Sequence, residues 1–464
     1  MPRLLLLLLS LGLGGCAAQG SILGLPPAEP PLPAGIQVAF NHRQGRHYRS
    51  PISAELREGD NLEAMVLQAI ASARSEVLVA VQELSLPKVA EALAARHRAG
   101  LRVRVVLENT YSTPWSEQHA ADLSPHLRLR WQQLSTWADR NGDGQLAAAE
   151  RRAADAVAIL RDAGVPMLDD TADGSAGSGL MHHKFMVVDR RLLVTGSANF
   201  TPSCIHGDAD DPRTRGNVNH LLRFESAALA GLFAAEFERM WGDGPGGQPD
   251  SRFGLGKQAE PVQQVMVGST AVEVLFAPHP RSSSSHGLAL IGERLAAASR
   301  QLDLALFVFS AQNLADVLAE RVAAGVSVRL LADPGFASRS FSEVLDLLGV
   351  SLPDRFCKLE RGNAPWRQPL EAVGTPRLAG GDKLHHKFAV LDNRTVITGS
   401  FNWSPSAAHQ NDETLLLIHS PQLAAHFGRE VDRLWSGSEL GVGARLQRKL
   451  AAQARRCGSG TQRT

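Results

Sequence analysis

The residues HHKFMVVD, starting at His182, return 203 positions later as HHKFAVLD, starting at His385. A repeat of this kind drives a chain toward two similar folding units, because each copy needs similar local surroundings. The surroundings repeat as well. Apolar period and length predict strand IQVAF, helix DNLEAMVLQAIASA, strand EVLVAVQEL, helix LPKVAEALAARHRAG and strand LRVRVVLEN. From Val272 the same order returns as VEVLFAP, GLALIGERLAAASR, LDLALFVFS, NLADVLAERVAAG and VSVRLLADP. Ala99-Gly100 and Ala324-Gly325 lie 225 residues apart, each where the second helix of its half should stop, and Gly is favoured just past a helix C-terminus. Alternating strands and helices predict an α/β layered fold in each half, with helices on both faces of a sheet.

Changes in the offset locate what the halves do not share. It drops from 225 at Arg104 to 203 at His182, so the first half carries 22 extra residues between them. The organisation is then a first half over 36–242, a linker over 243–269 containing DGPGGQPDSRFGLG, a second half over 270–440, and a basic tail over 441–464. Ahead of these, Arg3 precedes an apolar run from Leu4 to Leu13, about half a bilayer span, as in a signal peptide over 1–15. Residues 16–35 include PPAEPPLP and read as a stiff tether. Leu13-Gly14-Gly15-Cys16 resembles the bacterial lipobox, which implies lipidation at Cys16 and an exported lipoprotein on the periplasmic or outer face of a bacterial cell envelope. In that setting Cys204, Cys357 and Cys457 allow one disulfide and a leftover thiol, or three thiols; spacing does not choose the pair.

In HHKFMVVD the apolar Phe185 to Val188 predict a strand, whose alternation puts His182 and Lys184 on one face. Asp189 then points the other way and fixes the following turn. LLVTGSANF returns as a hairpin, bringing Gly196, Ser197 and Asn199 toward the motif. The second copy supplies His385, Lys387, Asp392, Gly399, Ser400 and Asn402, all at an offset of 203. In-line attack on a phosphodiester adds charge to the phosphoryl oxygens, so cations and amide or hydroxyl donors suit it. It also needs a nucleophile and a proton donor, and two imidazoles divide those tasks if one is neutral and one protonated. One copy supplies one such His. Two half-sites facing each other across a pseudo-twofold make one complete site, and a monomer can form it.

With both motifs in view, the chain resembles the phospholipase D superfamily, whose signature is His-x-Lys-x4-Asp followed by Gly-Ser-x-Asn. The resemblance covers most of the chain and implies two homologous α/β/α sandwich halves of the phospholipase D type. It implies a phosphohistidine intermediate without a catalytic metal, with His182 as nucleophile and His385 as acid. Asp189 and Asp392 belong to the signature and are counted with the catalytic set. Lys184, Lys387, Asn199 and Asn402 would bind phosphoryl oxygens, with Ser197 and Ser400 assisting. GNVNHLLRF aligns with QNDETLLLI, setting Asn217 against Asn411 and Asn219 against Glu413, with nine extra residues within 204–216 of the first half. In the family an acid at the Glu413 position orients the motif His through its second ring nitrogen. Asn219 departs from that. An amide fits a His that starts neutral and a carboxylate one kept protonated, an asymmetry resembling that of tyrosyl-DNA phosphodiesterases; Asn219 is thus expected beside His182, near the substrate, and Glu413 beside His385.

The extra residues of the first half include DRNGDGQLAAAE, which matches the EF-hand loop D-x-[DN]-x-[DN]-G-x5-E. Asp139, Asn141, Asp143, Gln145 and Glu150 are the expected ligands of a structural Ca²⁺, between helices predicted in RLRWQQLSTWA and AAAERRAADAVAILRDAG. Such an ion rigidifies the region rather than performing chemistry.

Composition narrows the substrate. With 44% hydrophobic and 20% charged residues the chain is neither disordered nor all-membrane, and a formal charge of +1 gives no whole-molecule field to gather nucleic acid. Three classes compete: a phospholipid-cleaving enzyme, an exported nuclease acting on DNA or RNA, and a silent lipid-binding scaffold. Two intact motifs argue against the scaffold. A lipid anchor and balanced charge favour phospholipid, reached at a membrane surface, over nucleic acid, for which a basic channel is expected. The tail with Arg445, Arg448, Lys449, Arg455, Arg456 and Arg463 suits either anion and reads as a solvated, frayed helix.

Overall fold

The computed structural model describes residues 29–208 and 210–458. Two mixed sheets carry the chain. The first has seven strands in the order Ile36–Phe40, His220–Glu225, Leu192–Gly196, Lys184–Val188, Glu76–Val81, Arg102–Leu107 and Met167–Asp169. The second has nine, in the order Gln263–Val267, Thr270–Ala277, Glu413–His419, Thr395–Gly399, Lys387–Leu391, Gln301–Leu306, Ser327–Ala332, Val373–Thr375 and Glu439–Leu440. In both, the motif strand runs antiparallel to the strand that follows the first helix (Val77 opposite Val188, Leu302 opposite Leu391). That strand pairs in parallel with the next, across a helical crossover. The expected elements form at their expected places, and Gly100 and Gly325 take φ of +87° and +84° just past their helices, a conformation that favours glycine.

Helices Leu62–Ala71, Pro87–Arg98 and Ala156–Asp162 cover the outer face of the first sheet, and Gly287–Ala296 and Gln312–Ala323 that of the second. The long helices Ala227–Trp241 and Pro421–Trp435 lie on the inner faces, both capped at equivalent serines, Ser226 and Ser420. Their apolar sides join one core to which both halves contribute, with Phe427 in edge contact with Phe40 and Phe388, and Phe233 with Phe185 and Phe276. Each half is thus an α/β/α sandwich, and the inner layers are shared. Burying the pairing surface this way fixes how the two motifs meet, because sliding one half would expose the rings.

The structure adds to the linker, corrects the tail and chooses among the cysteines. The stretch 243–269 is no loose linker: Gln263–Val267 is an edge strand of the second sheet, and buried Lys257 pairs with Glu236 of the first half and with Asp412 at 2.7 Å. Over its described residues the basic tail is not frayed, since helix Ala444–Cys457 buries Leu446 and docks on the second half. Cys357 and Cys457 form the disulfide, with Cα atoms 5.5 Å apart, and Cys204 is the buried free thiol. Fold spacing had to choose the pair, because sequence separation says nothing about Cα distance. The apolar run, Cys16 and most of the tether lie outside the described residues. Among the described residues no helix is long and apolar enough to cross a membrane.

Candidate active site

Each motif enters its sheet at Lys184 or Lys387, so the histidines sit at the strand starts, where the two sheets face each other. The approach is pinned across the halves by short pairings, Met181 with Asp412 and Val218 with Leu384. His182 N donates to Asp412 O, and His385 N donates to Val218 O, each at 3.0 Å. The segment that follows each hairpin therefore crosses to the other half. This crossing decides the partners. His182 Nδ1 lies 2.8 Å from Glu413 of the second half, and His385 Nδ1 lies 2.9 Å from Asn219 Oδ1 of the first. The sequence reading paired each histidine within its own half; the structure exchanges them, because strands of opposite halves abut head-on at the pseudo-twofold.

A carboxylate or carbonyl can only accept, so both rings donate from Nδ1–H and keep Nε2 for chemistry. Neighbours fix both acceptors. Ser400 Oγ donates to Glu413 at 2.6 Å, and Ser197 Oγ donates to Asn219 Oδ1 at 2.8 Å. The Asn219 amide donates to Cys204 O and Asn217 O, which turns its oxygen toward His385. Ser197, Ser400 and Asn219 were expected on the substrate; all three are buried and committed to positioning the rings instead.

The lysines do converge. Lys184 Nζ donates to His182 O at 2.7 Å and Lys387 Nζ to His385 O at 2.8 Å, leaving further N–H donors on each buried ammonium. Asn199 and Asn402 stand at equivalent points, and the Oδ1 of each has no protein partner, so one end of each amide is uncommitted. Asp189 and Asp392 are not brought to this centre. They lie at the far ends of the motif strands and accept backbone N–H groups of Arg74, Ser75 and Glu76 and of Ser299, Arg300 and Gln301. Their role is to close the turn that aims the strand, at a distance of about five residues of extended chain.

Burial sets the electrostatics. Desolvation, then the charges of Lys184 and Lys387, hold His182 well below the usual imidazole range, and His385 is lowered by burial and the same lysines. Burial pushes Glu413 up to about 7 against the pull of Lys184 and Ser400. Lys184 is brought down to about 8 by burial, and Lys387 is lowered by burial and by Lys184. Two buried lysines beside two imidazoles make a centre short of negative charge, which an anionic phosphodiester supplies.

Several residues here were not singled out from the sequence. Gln82 accepts from Asn199 Nδ2 at 3.2 Å beside Lys184, whereas its counterpart Phe307 places its ring 4.7 Å from the His385 ring and 4.9 Å from Lys387 Nζ. The second histidine of each motif is a strut: His183 joins Thr414 and Glu236, and His386 joins His220 and Glu430. Burial raises Glu236 and Glu430, but Lys257 and Arg433 respectively, with the bonded histidines, bring both well below the ordinary carboxylate range. The doubled His of both motifs was the sequence signal for these struts.

In the insertion, helices Pro125–Ala138 and Ala148–Ala154 flank the loop as expected. Asp139 accepts from the amides of Gly142, Asp143 and Gly144, Asn141 from Asp143 N, Asp143 from Gln145 N, and Glu150 from Arg140 N and Ala147 N. Among the described residues no group of three or more His, Cys, Asp or Glu is arranged to hold a metal ion, so the expected ligands do not converge as they stand. Their carboxylates instead order the loop through backbone amides.

The family profile described as "Cardiolipin synthase, PLD-like domain" matches residues 66–241 and 291–435. The chain is 28% identical over 199 residues to a mitochondrial cardiolipin hydrolase of Chlamydomonas reinhardtii, covering 39% of this chain and 80% of that protein. It is 31% identical over 158 residues to the one of Xenopus tropicalis, covering 34% and 63%. The crystal structure of phosphatidylserine synthase from Haemophilus influenzae Rd KW20 is similar in fold, with a TM-score of 0.55 and 13% identity over 90% of this chain and 95% of that one.

Proposed function

The chain belongs to the family of PLD-like domains, and from that premise we propose that it hydrolyses phospholipid phosphodiesters at a membrane, using His182 as nucleophile and His385 as acid and base. It is a phospholipase D-like phosphoric diester hydrolase; the phosphohistidine route is general to the family. The observation that carries the division of roles is the crossed pair of orienting groups: with the carboxylate on His182 and the amide on His385, the rule of an amide for the neutral ring and a carboxylate for the protonated one gives way to what each group does as charge moves through its ring. Glu413 accepts the Nδ1 proton of His182, which sharpens the Nε2 lone pair and offsets the positive charge the ring gains when that nitrogen bonds phosphorus. Asn219 orients His385 without fixing a charge, so that ring can pass from protonated to neutral and back.

In the first step the His182 Nε2 lone pair attacks phosphorus, the bond to the leaving oxygen breaks, and that oxygen takes the Nε2 proton of His385. In the second, neutral His385 removes a proton from water, the water oxygen attacks phosphorus, and the bond to His182 breaks. The ammonium groups of Lys184 and Lys387, with remaining Nδ2–H groups of Asn199 and Asn402, meet the charge on the phosphoryl oxygens. Catalysis in this superfamily needs no metal. The substrate's own charge opposes the lowering of His385, so binding helps to install the proton it will give up.

Support for a phospholipid comes from the names of the relatives, which are cardiolipin hydrolases, and from the near-zero net charge. The alternative is an exported nuclease. Side-by-side assay on phosphatidylcholine, phosphatidylethanolamine, cardiolipin and single-stranded DNA separates them. Phosphatidic acid release is expected, with little salt sensitivity on a soluble short-chain phospholipid; strongly salt-sensitive DNA cleavage without it would overturn the lipid reading. We further propose that lipidated Cys16 anchors the protein to the cell envelope. Cys16→Ser should release it and lower turnover of bilayer lipid, while a soluble short-chain phospholipid is hydrolysed as before. The EF-hand pattern supports a structural Ca²⁺, for which Asp139, Asn141, Asp143, Gln145 and Glu150 would turn from backbone amides to the ion.

A further inference from the structure

From His385 a file of side chains leads outward. The Phe336 ring lies 4.6 Å from that of Phe307, and the Arg339 guanidinium 5.8 Å over Phe336. In the same loop Ser338 accepts from Lys449 Nζ through its carbonyl at 2.8 Å and its hydroxyl at 3.1 Å, so helix Ala444–Cys457 lies directly beside this wall. The other end of the helix is held by Gln453 on Pro353 O and Asp354 O and by the Cys357–Cys457 disulfide, next to Arg355 and Phe356. With Leu446 turned inward, the outward face carries Arg445, Arg448, Arg455 and Arg456, all exposed. The Glu439 carboxylate is turned onto Ala444 N, and no acidic residue follows it in the sequence. A phenylalanine stands out near each end, Phe341 44% exposed and Phe356 66%.

We propose that this face docks on an anionic phospholipid bilayer, the arginines meeting headgroups and Phe341 and Phe356 entering the interface, so that lipid reaches His385 past Phe336 and Phe307. The proposal rests on the phospholipid reading and adds the surface that presents the substrate. Exposed phenylalanines gain free energy at a membrane interface, and clustered arginines gain it from anionic headgroups, a local field that a chain of charge +1 does not otherwise provide. Because the helix is held at both ends, docking orders little that was free. A nucleic-acid strand calls for a basic groove with rings along its floor. Here the charge lies on the outward face of one helix. Among the described residues the first half shows no such face: Gln82 and Tyr111 occupy the places of Phe307 and Phe336, and the terminal helix has no counterpart there.

The test uses the full-length protein with Arg445→Gln, Arg448→Gln, Arg455→Gln and Arg456→Gln combined, and separately Phe341→Ser with Phe356→Ser. Both are measured by co-sedimentation with vesicles of phosphatidylcholine and phosphatidylglycerol, and by turnover of vesicle lipid and of a soluble short-chain phospholipid. Each arginine near such a surface is worth about fivefold, so binding and vesicle turnover should both fall about tenfold or more while soluble turnover stays within about twofold. Unchanged vesicle binding by both variants would overturn the docking surface and leave the lipid reading standing. Vesicle binding by the parent protein that the variants lose, with no phospholipid cleaved by the parent, would sink the substrate reading and leave the surface. A loss confined to binding of a single-stranded oligonucleotide would give the face to nucleic acid and end the proposal.

Discussion

The two halves share a motif at a fixed offset, yet their contributions to the site differ at the positions that touch the histidines. The second half lends a carboxylate to the first half's histidine; the first half lends an amide in return. Gln82 keeps one side of the site polar, whereas Phe307 stacks against His385 on the other. His183 leans on Thr414, but His386 leans on a second imidazole, His220, whose Nδ1 lies 3.0 Å away. A duplicated fold can thus supply symmetry of position while chemistry is divided by single side chains, and the division is carried by residues that touch the histidines rather than by the histidines themselves.

Removing one histidine at a time should break the comparison most sharply. His182→Ala should lower turnover by about 10⁴-fold or more and abolish the trapped covalent intermediate, as loss of a nucleophile does. His385→Ala should slow turnover yet still let the intermediate form from a substrate with a good leaving group. Acid-quench trapping with labelled substrate measures both; label kept by His182→Ala and absent from His385→Ala would reverse the roles. Making the orienting groups alike is the next largest change. Glu413→Gln leaves two amides and should cost about 100-fold in kcat with KM little changed, in line with loss of a group that orients a catalytic ring. Asn219→Gln, by contrast, keeps an amide, and equal losses in both variants would mean that the carboxylate is not special.

The pH profile sharpens the same asymmetry. Glu413 must be ionised to accept from His182, so kcat/KM for the free enzyme should fall as pH drops through about 7. Lys184 must stay charged, so it should fall again as pH rises past about 8. In Glu413→Gln the acid limb should move or vanish while the alkaline limb remains, which stopped-flow assays across pH 5 to pH 10 would show. The smallest effect concerns the insertion that only the first half carries. Ca²⁺ should raise the melting temperature by about 2 to 4 °C and a chelator lower it, with activity at 25 °C kept in both. An unchanged melting temperature in calorimetry would remove the ion, and full inactivation without unfolding would point to a metal at the site.

Much of this was legible beforehand because the relevant forces are local. Apolar periodicity placed the strands and helices of both halves, and the glycines at 100 and 325 marked the helix ends they occupy. The repeated His-x-Lys-x4-Asp and Gly-Ser-x-Asn supplied the residues that meet at the centre. Alternation along the strand also showed that Asp189 turns away, although the signature had counted it with the catalytic set.

What the sequence by itself determined, then, is a duplicated α/β chain with two histidines, two lysines and two asparagines committed to one phosphodiester site. Only the tertiary structure decided that His182 takes Glu413 and His385 takes Asn219, that Ser197 and Ser400 serve those partners, that Cys357 pairs with Cys457, and that the basic tail docks as a helix. The physical reason is common to all four. Each is a contact across 13 to 231 positions of chain, fixed by how the shared core sets one sheet against the other or one surface against its neighbour, and no local propensity or spacing encodes it.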